Sequence, residues 1–162
     1  MRQFILFLFF LFPIVNWAQP YSITWDGSTN ASPWVEVTNV FTVAPERPCQ
    51  GTHSLRTRLR GVTQNLGIGD LRSPLLFNAT GGVVTFSFNY KWIVYNSSLS
   101  QTPVAGSPNH LDLKWQWANS TSGPWKTFTT IDGTNHNASV NCVINVSEFA
   151  PSAGNLYVRL LV

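Results

Sequence analysis

The run Val83-Val84-Thr85-Phe86-Ser87-Phe88-Asn89-Tyr90-Lys91-Trp92-Ile93-Val94-Tyr95 decides the fold. Val84, Phe86, Phe88, Tyr90, Trp92 and Val94 fall on one side of an extended chain, with Thr85, Ser87, Asn89 and Lys91 on the other. A period of two is that of a β-strand with one buried face. Six large apolar groups in phase fix the register, because a slip of one residue would turn all of them to water. Gly81-Gly82, just before the run, reads as a turn.

The same period continues on both sides. Val35, Val37, Asn39, Phe41 and Val43 are expected to share one face of a first strand, and Leu55, Thr57 and Leu59 alternate with Arg56, Arg58 and Arg60 in a second. Leu71-Arg72-Ser73-Pro74-Leu75 reads as a short strand, and Asn96 to Asn109 as a polar loop. Leu111, Leu113, Trp115 and Trp117 form the next inward stripe. Ser122-Gly123-Pro124 turns into a strand over Trp125 to Ile131, followed by strands over Val140 to Val146 and Leu156 to Val162. Seven or eight strands with no helical stretch predict an all-β fold, an antiparallel two-sheet sandwich.

Composition agrees. Of 162 residues only 10% are charged and 14% are aromatic, against about 25% charged in an ordinary soluble domain. Such a chain buries enough apolar surface to order itself, which excludes disorder. The length suits one domain. Met1-Arg2-Gln3, the apolar run Phe4 to Val15 and the small residue Ala18 read as a signal peptide over 1–18, too short to span about 30 Å of hydrocarbon. The expectation is a single exported domain over 19–162, secreted or displayed at the cell surface, with no transmembrane span after signal removal. Without Arg2, nine basic groups face seven acidic ones, net +2, too little to attract nucleic acid by bulk charge. In an oxidising compartment the pair Cys49 and Cys142 is most simply a disulfide, two buried thiols being the alternative. Leu156 to Val162 stops without a polar tail, so we expect a fragment of a longer chain.

No sequence signature of catalysis is present: no His-Glu-x-x-His run, no Gly-x-Ser-x-Gly elbow and no P-loop. Glu36, Glu46 and Glu148 are too scattered to supply the paired carboxylates of a glycosidase. We therefore expect no enzyme activity and no catalytic residue. Arg56, Arg58 and Arg60 would stand about 7 Å apart on one strand face, a spacing that suits a sulfated or uronic polysaccharide as well as a plain solvated face. Trp125, Trp34 and Tyr95 are the aromatics placed to reach a surface and stack on a sugar, whereas Trp92, Trp115 and Trp117 are in phase with core positions. Asp26, Asp70, Asp112 and Asp132 are the oxygens a structural calcium ion would use, with Asp26 the leading metal candidate; no other cofactor is implied. Six Asn-x-Ser/Thr sequons occur, at Asn30, Asn78, Asn96, Asn119, Asn137 and Asn145.

Read in order, Gly51-Thr52-His53-Ser54-Leu55-Arg56, Gly69-Asp70-Leu71-Arg72-Ser73-Pro74, the aromatic strand, Leu111-Asp112-Leu113 and Ser122-Gly123-Pro124-Trp125 resemble MAM-type jelly-roll domains of exported bacterial surface proteins. The resemblance spans about residues 25 to 162. It implies a jelly-roll sandwich lacking its last strand, since family members continue with a final strand bearing an aromatic and paired acidic residues. It also implies a non-catalytic recognition or adhesion module whose partner is an extracellular glycan or a cell-surface protein. A structural spacer and an accessory module of a longer exported hydrolase are the competing readings.

Overall fold

The computed structural model describes residues 31–38, 41–44, 48–57, 69–94, 104–105, 111–133 and 141–162. Within them the chain is all β, with no helix. The strands are β1 (Val35–Glu36), β2 (Phe41–Ala44), β3 (Ser54–Thr57), β4 (Asp70–Arg72), β5 (Phe77–Ala79), β6 (Val84–Tyr90), β7 (Ile93–Val94), β8 (Val104–Ala105), β9 (Leu113–Ala118), β10 (Lys126–Ile131), β11 (Val143–Phe149) and β12 (Gly154–Leu161).

β12 organises the larger sheet, whose order is β1-β4-β12-β9-β10. One edge of β12 pairs first with β5, Leu156 opposite Phe77, and then with β4, Leu160 opposite Leu71. The other edge pairs with β9, Val158 opposite Trp117. Every pairing is antiparallel. The alternation Leu156, Val158, Leu160 explains the central place of β12: all three are buried, and each contributes about 1.5–3 kcal/mol by leaving water.

β6 and β11 form a separate antiparallel ribbon. Its aromatic side chains lie on the larger sheet: Phe86 and Phe88 reach Trp115 at 4.9 and 5.3 Å between ring centres, and Phe149 stacks on Phe128 at 4.3 Å. Trp34, from just before β1, meets Trp115 edge-on. Ring pairs of this kind add about 0.5–1.5 kcal/mol each beyond burial. Two small sheets, β2 with β3 and β7 with β8, complete the described strands.

Cys49 and Cys142 are joined in a disulfide, their Cα atoms 5.5 Å apart and 93 positions apart in sequence. The bond ties the segment before β3 to the start of β11. Lys91 Nζ, just past the end of β6, donates to Pro48 O at 3.5 Å and ties the same segment to the other strand of the β6–β11 pair.

The first strand departs from expectation. Val35 and Val37 are 62% and 53% exposed, whereas Trp34 and Phe41 are buried. The run splits into β1 and β2, which belong to different sheets. Trp34 sets the phase of β1, because its indole removes more apolar area from water than either valine. The aromatic run likewise divides into β6 and β7, with Trp92 buried at the break. The expected loop over 96–109 contains β8, which pairs with β7. These divisions, together with β5, raise the strand number among the described residues to twelve from the seven or eight expected. Leu111, expected in the inward stripe, is 40% exposed just ahead of β9. Trp92, Trp115 and Trp117 are core residues, as their phase predicts.

Candidate functional site: a guanidinium pair under an indole

The outer face of the larger sheet carries a row of aligned positions. Val35 stands opposite Arg72, Arg72 opposite Arg159, Arg159 opposite Gln116, and Gln116 opposite Thr127, so five strands contribute one residue each. The buried neighbours Leu71, Val158, Leu160, Trp115 and Trp117 force these alternate positions outward.

Asp70, two residues before Arg72 on the same strand face, joins the row together. Arg72 Nε donates to Asp70 Oδ1 at 3.1 Å and Arg72 Nη2 donates to Asp70 Oδ2 at 2.7 Å, a bidentate pair. Arg159 Nη1 donates to the same Oδ2 at 3.1 Å. Arg159 Nε donates to Gln116 Oε1 at 2.6 Å, and Gln116 Nε2 donates onward to Thr127 Oγ1 at 2.8 Å. Behind Asp70, its backbone N donates to Thr38 Oγ1 and its carbonyl accepts from Val37 N. The network therefore runs from the β1 edge to β10.

Trp125 covers the pair. Its ring centre lies 4.6 Å from the Arg159 guanidinium carbon and 5.8 Å from that of Arg72. The turn between β9 and β10 holds the indole there. Gly123 sits at φ +92°, a left-handed conformation that glycine adopts without strain, and its N donates to Ser120 O at 3.1 Å. A Cβ at Gly123 would lie 2.8 Å from Trp125 Cδ1, so any larger residue displaces the ring. Arg72 Nη1 donates to Thr121 O at 3.0 Å and ties the turn to the sheet.

Two guanidinium groups share one carboxylate, which leaves one positive charge uncompensated within the cluster. Side-chain exposure is 30% for Arg72 and 16% for Arg159, so this charge is partly withdrawn from water. Burial pulls Arg159 below the usual arginine range, with the Asp70 charge opposing and the Arg72 charge reinforcing that shift. The hydrogen bonds to Asp70 push Arg72 the other way, against the smaller effect of burial. The cluster can take an anion through donors the fold leaves over. Arg159 Nη2 has no hydrogen-bond partner among the described residues.

The residues singled out from sequence are dispersed. Trp125 is half-buried and belongs to the cluster. Trp34 is a correction: only 7% exposed and packed in the core against Trp115, it offers no ring face to a sugar. Arg56 lies in β3, opposite Thr42, in a different sheet from Arg72. Arg58, Arg60, Tyr95 and Asp26 lie outside the described residues, as do residues 1–18, where a signal peptide is expected. Both Asp70 carboxylate oxygens accept from guanidinium groups, Oδ1 from Arg72 and Oδ2 from Arg72 and Arg159. Asp112 pairs with Lys114 at 3.5 Å and accepts from Gly133 N. Among the described residues no group of three or more His, Cys, Asp or Glu side chains could hold a metal ion. Of the described sequons, Asn119 uses its amide nitrogen to donate to Asn155 O and Ser152 O, and Asn145 accepts from Ser147 Oγ.

Arg159 and Asp70 carry a sequence signal of their own. Asp70-x-Arg72 has the i, i+2 spacing that places both residues on one strand face, and Arg159 sits out of phase between the inward Val158 and Leu160. What the spacing does not say is that β4 and β12 are neighbours. Set against models of known protein families, curated proteins and solved structures, the chain matches none.

Proposed function

We propose that the chain is an exported, non-catalytic recognition module of MAM-like jelly-roll type, binding an extracellular glycan or a cell-surface protein. The observation that carries this reading is the outer face of the larger sheet. There the β9–β10 turn and two strands hold an indole and two guanidinium groups in fixed relation, with charge and donors in excess of what the fold consumes. Rigid strands position such groups more precisely than loops do. Export is favoured by the leader-like residues 1–18 and by the Cys49–Cys142 disulfide, which belongs in an oxidising compartment. No helix among the described residues is long and apolar enough to cross a membrane. The jelly-roll reading draws on the aromatic packing of the β6–β11 ribbon over β9 and β10.

One observation favours a spacer instead: the Arg72–Asp70–Arg159 network also braces β4, β12 and β9 with no ligand needed. A binding survey of the purified chain on immobilised neutral and acidic polysaccharides and on intact cells separates the two. Retention that falls in Trp125→Ala supports recognition; no retention on any surface leaves the spacer.

A further inference from the structure

We propose that the Arg72–Arg159–Trp125 face binds an acidic polysaccharide, the carboxylate or sulfate of the sugar taken by the guanidinium pair and its ring lying beside the indole. This rests on the recognition reading above and names its ligand class. Three features point the same way. Arg72 and Arg159 share only Asp70, so the cluster keeps one positive charge, and a ligand acid would neutralise it. Arg159 has a terminal nitrogen without a partner among the described residues, next to a guanidinium whose own donors are directed at Asp70 and Thr121. Trp125 sets a flat, half-buried apolar ring 4.6 Å from that charge. A pyranose bearing an acid presents the same two surfaces side by side, a ring of C–H groups and an anion. An acidic peptide offers the anion without the ring.

The sequence places a different set of cations in the same role, Arg56, Arg58 and Arg60, and Arg56 lies in the β2–β3 sheet. The two assignments can therefore be set against each other in one experiment. Calorimetric titration of the full chain would use oligogalacturonate for a carboxylate, sulfated dextran for a sulfate, neutral dextran, and poly-glutamate. The expected result is binding of oligogalacturonate or sulfated dextran and none of neutral dextran. Arg72→Gln, which removes one of the two positive charges, and Trp125→Ala, which removes the ring, should each weaken that binding about tenfold, while Arg56→Gln leaves it unchanged. Because Arg72→Gln also removes a structural contact, the unmutated chain is followed by NMR: the Arg159 Nε–H resonance should shift on titration with the bound oligosaccharide. Equal affinity for poly-glutamate would overturn the sugar assignment. Loss of binding in Arg56→Gln but not in Arg72→Gln, or a static Arg159 resonance, would overturn this site and leave recognition standing. Retention on cells or neutral glycans with no binding of either acidic polymer would overturn the ligand class alone, and absence of all binding would remove the recognition reading with it.

Discussion

Across the larger sheet the residues turned away from the core are Arg72, Arg159, Gln116 and Thr127, linked side chain to side chain. Across the β6–β11 ribbon they are Thr85, Ser87, Ile144 and Val146, and the two aliphatics are 69% and 61% exposed. The inner faces differ as well. In the larger sheet inward positions are filled from several strands, by Leu71, Val158, Leu160, Trp115 and Trp117. In the ribbon β6 does most of the filling: Phe86 stands opposite Ser147, Phe88 opposite Asn145, and Phe149 opposite the smaller Val84. Each pair sets a large residue against a small one, as close packing of a layer of fixed thickness requires. Asn145 and Ser147 tolerate the partly buried inner side because the Ser147 hydroxyl donates to Asn145 Oδ1 at 2.8 Å. Volume on the inner face thus fixes strand phase in both regions, and the outer face is left free to differ.

The largest test bears on what holds the ribbon region. Removing the Cys49–Cys142 cross-link with Cys49→Ala/Cys142→Ala should cost about 4–5 kcal/mol by the chain-entropy model for a loop of this length, read from urea unfolding with and without reductant. Equal stability of the reduced and oxidised chains would break the claim that the bond matters. In the larger sheet, Leu156→Ala should cost about 2–5 kcal/mol, while Ile144→Ser on the ribbon's outer face should stay within about 0.5 kcal/mol. A comparable loss at Ile144 would mean that its face is covered in solution. Asp70→Asn leaves two guanidinium groups without their carboxylate and should cost about 3 kcal/mol, measured by thermal unfolding; a neutral outcome would show the network to be dispensable. The smallest effect concerns Tyr90 on β6, whose phenol burial pushes above the ordinary tyrosine range. A raised folded-state value means that the unfolded chain releases this proton first, so the contribution is present at neutral pH. It is lost as pH rises through the alkaline range above the ordinary tyrosine value. Ultraviolet titration of the phenols, with Tyr90→Phe as reference, reads it directly.

Some of this was legible in sequence and some was not, for physical reasons. The stripe over Val84 to Tyr90 declares its strand because period two and large apolar size coincide there. The Cys49–Cys142 pair follows from there being only two cysteines. The phase of β1 was misleading because two valines alternate visibly while one tryptophan, out of step with them, outweighs both. The arginine cluster was hidden for a different reason. Arg159 and Asp70 are 89 positions apart, and only the strand order brings them together. Local pattern tells which way a residue points and leaves open which strand lies beside it.

That strand order has a consequence for how the chain is made. β12 lies between β4 and β5 on one side and β9 on the other, and all three precede it in the sequence. While the polypeptide is being synthesised from its N-terminus, the neighbours of β12 are finished first and wait with unpaired edges for a partner not yet made. The sheet closes by insertion into a prepared gap rather than by growth at a rim. Until that moment the open edges are the part of the nascent chain most apt to join with another copy, and β12, made after all three of its neighbours, is the strand that ends the hazard.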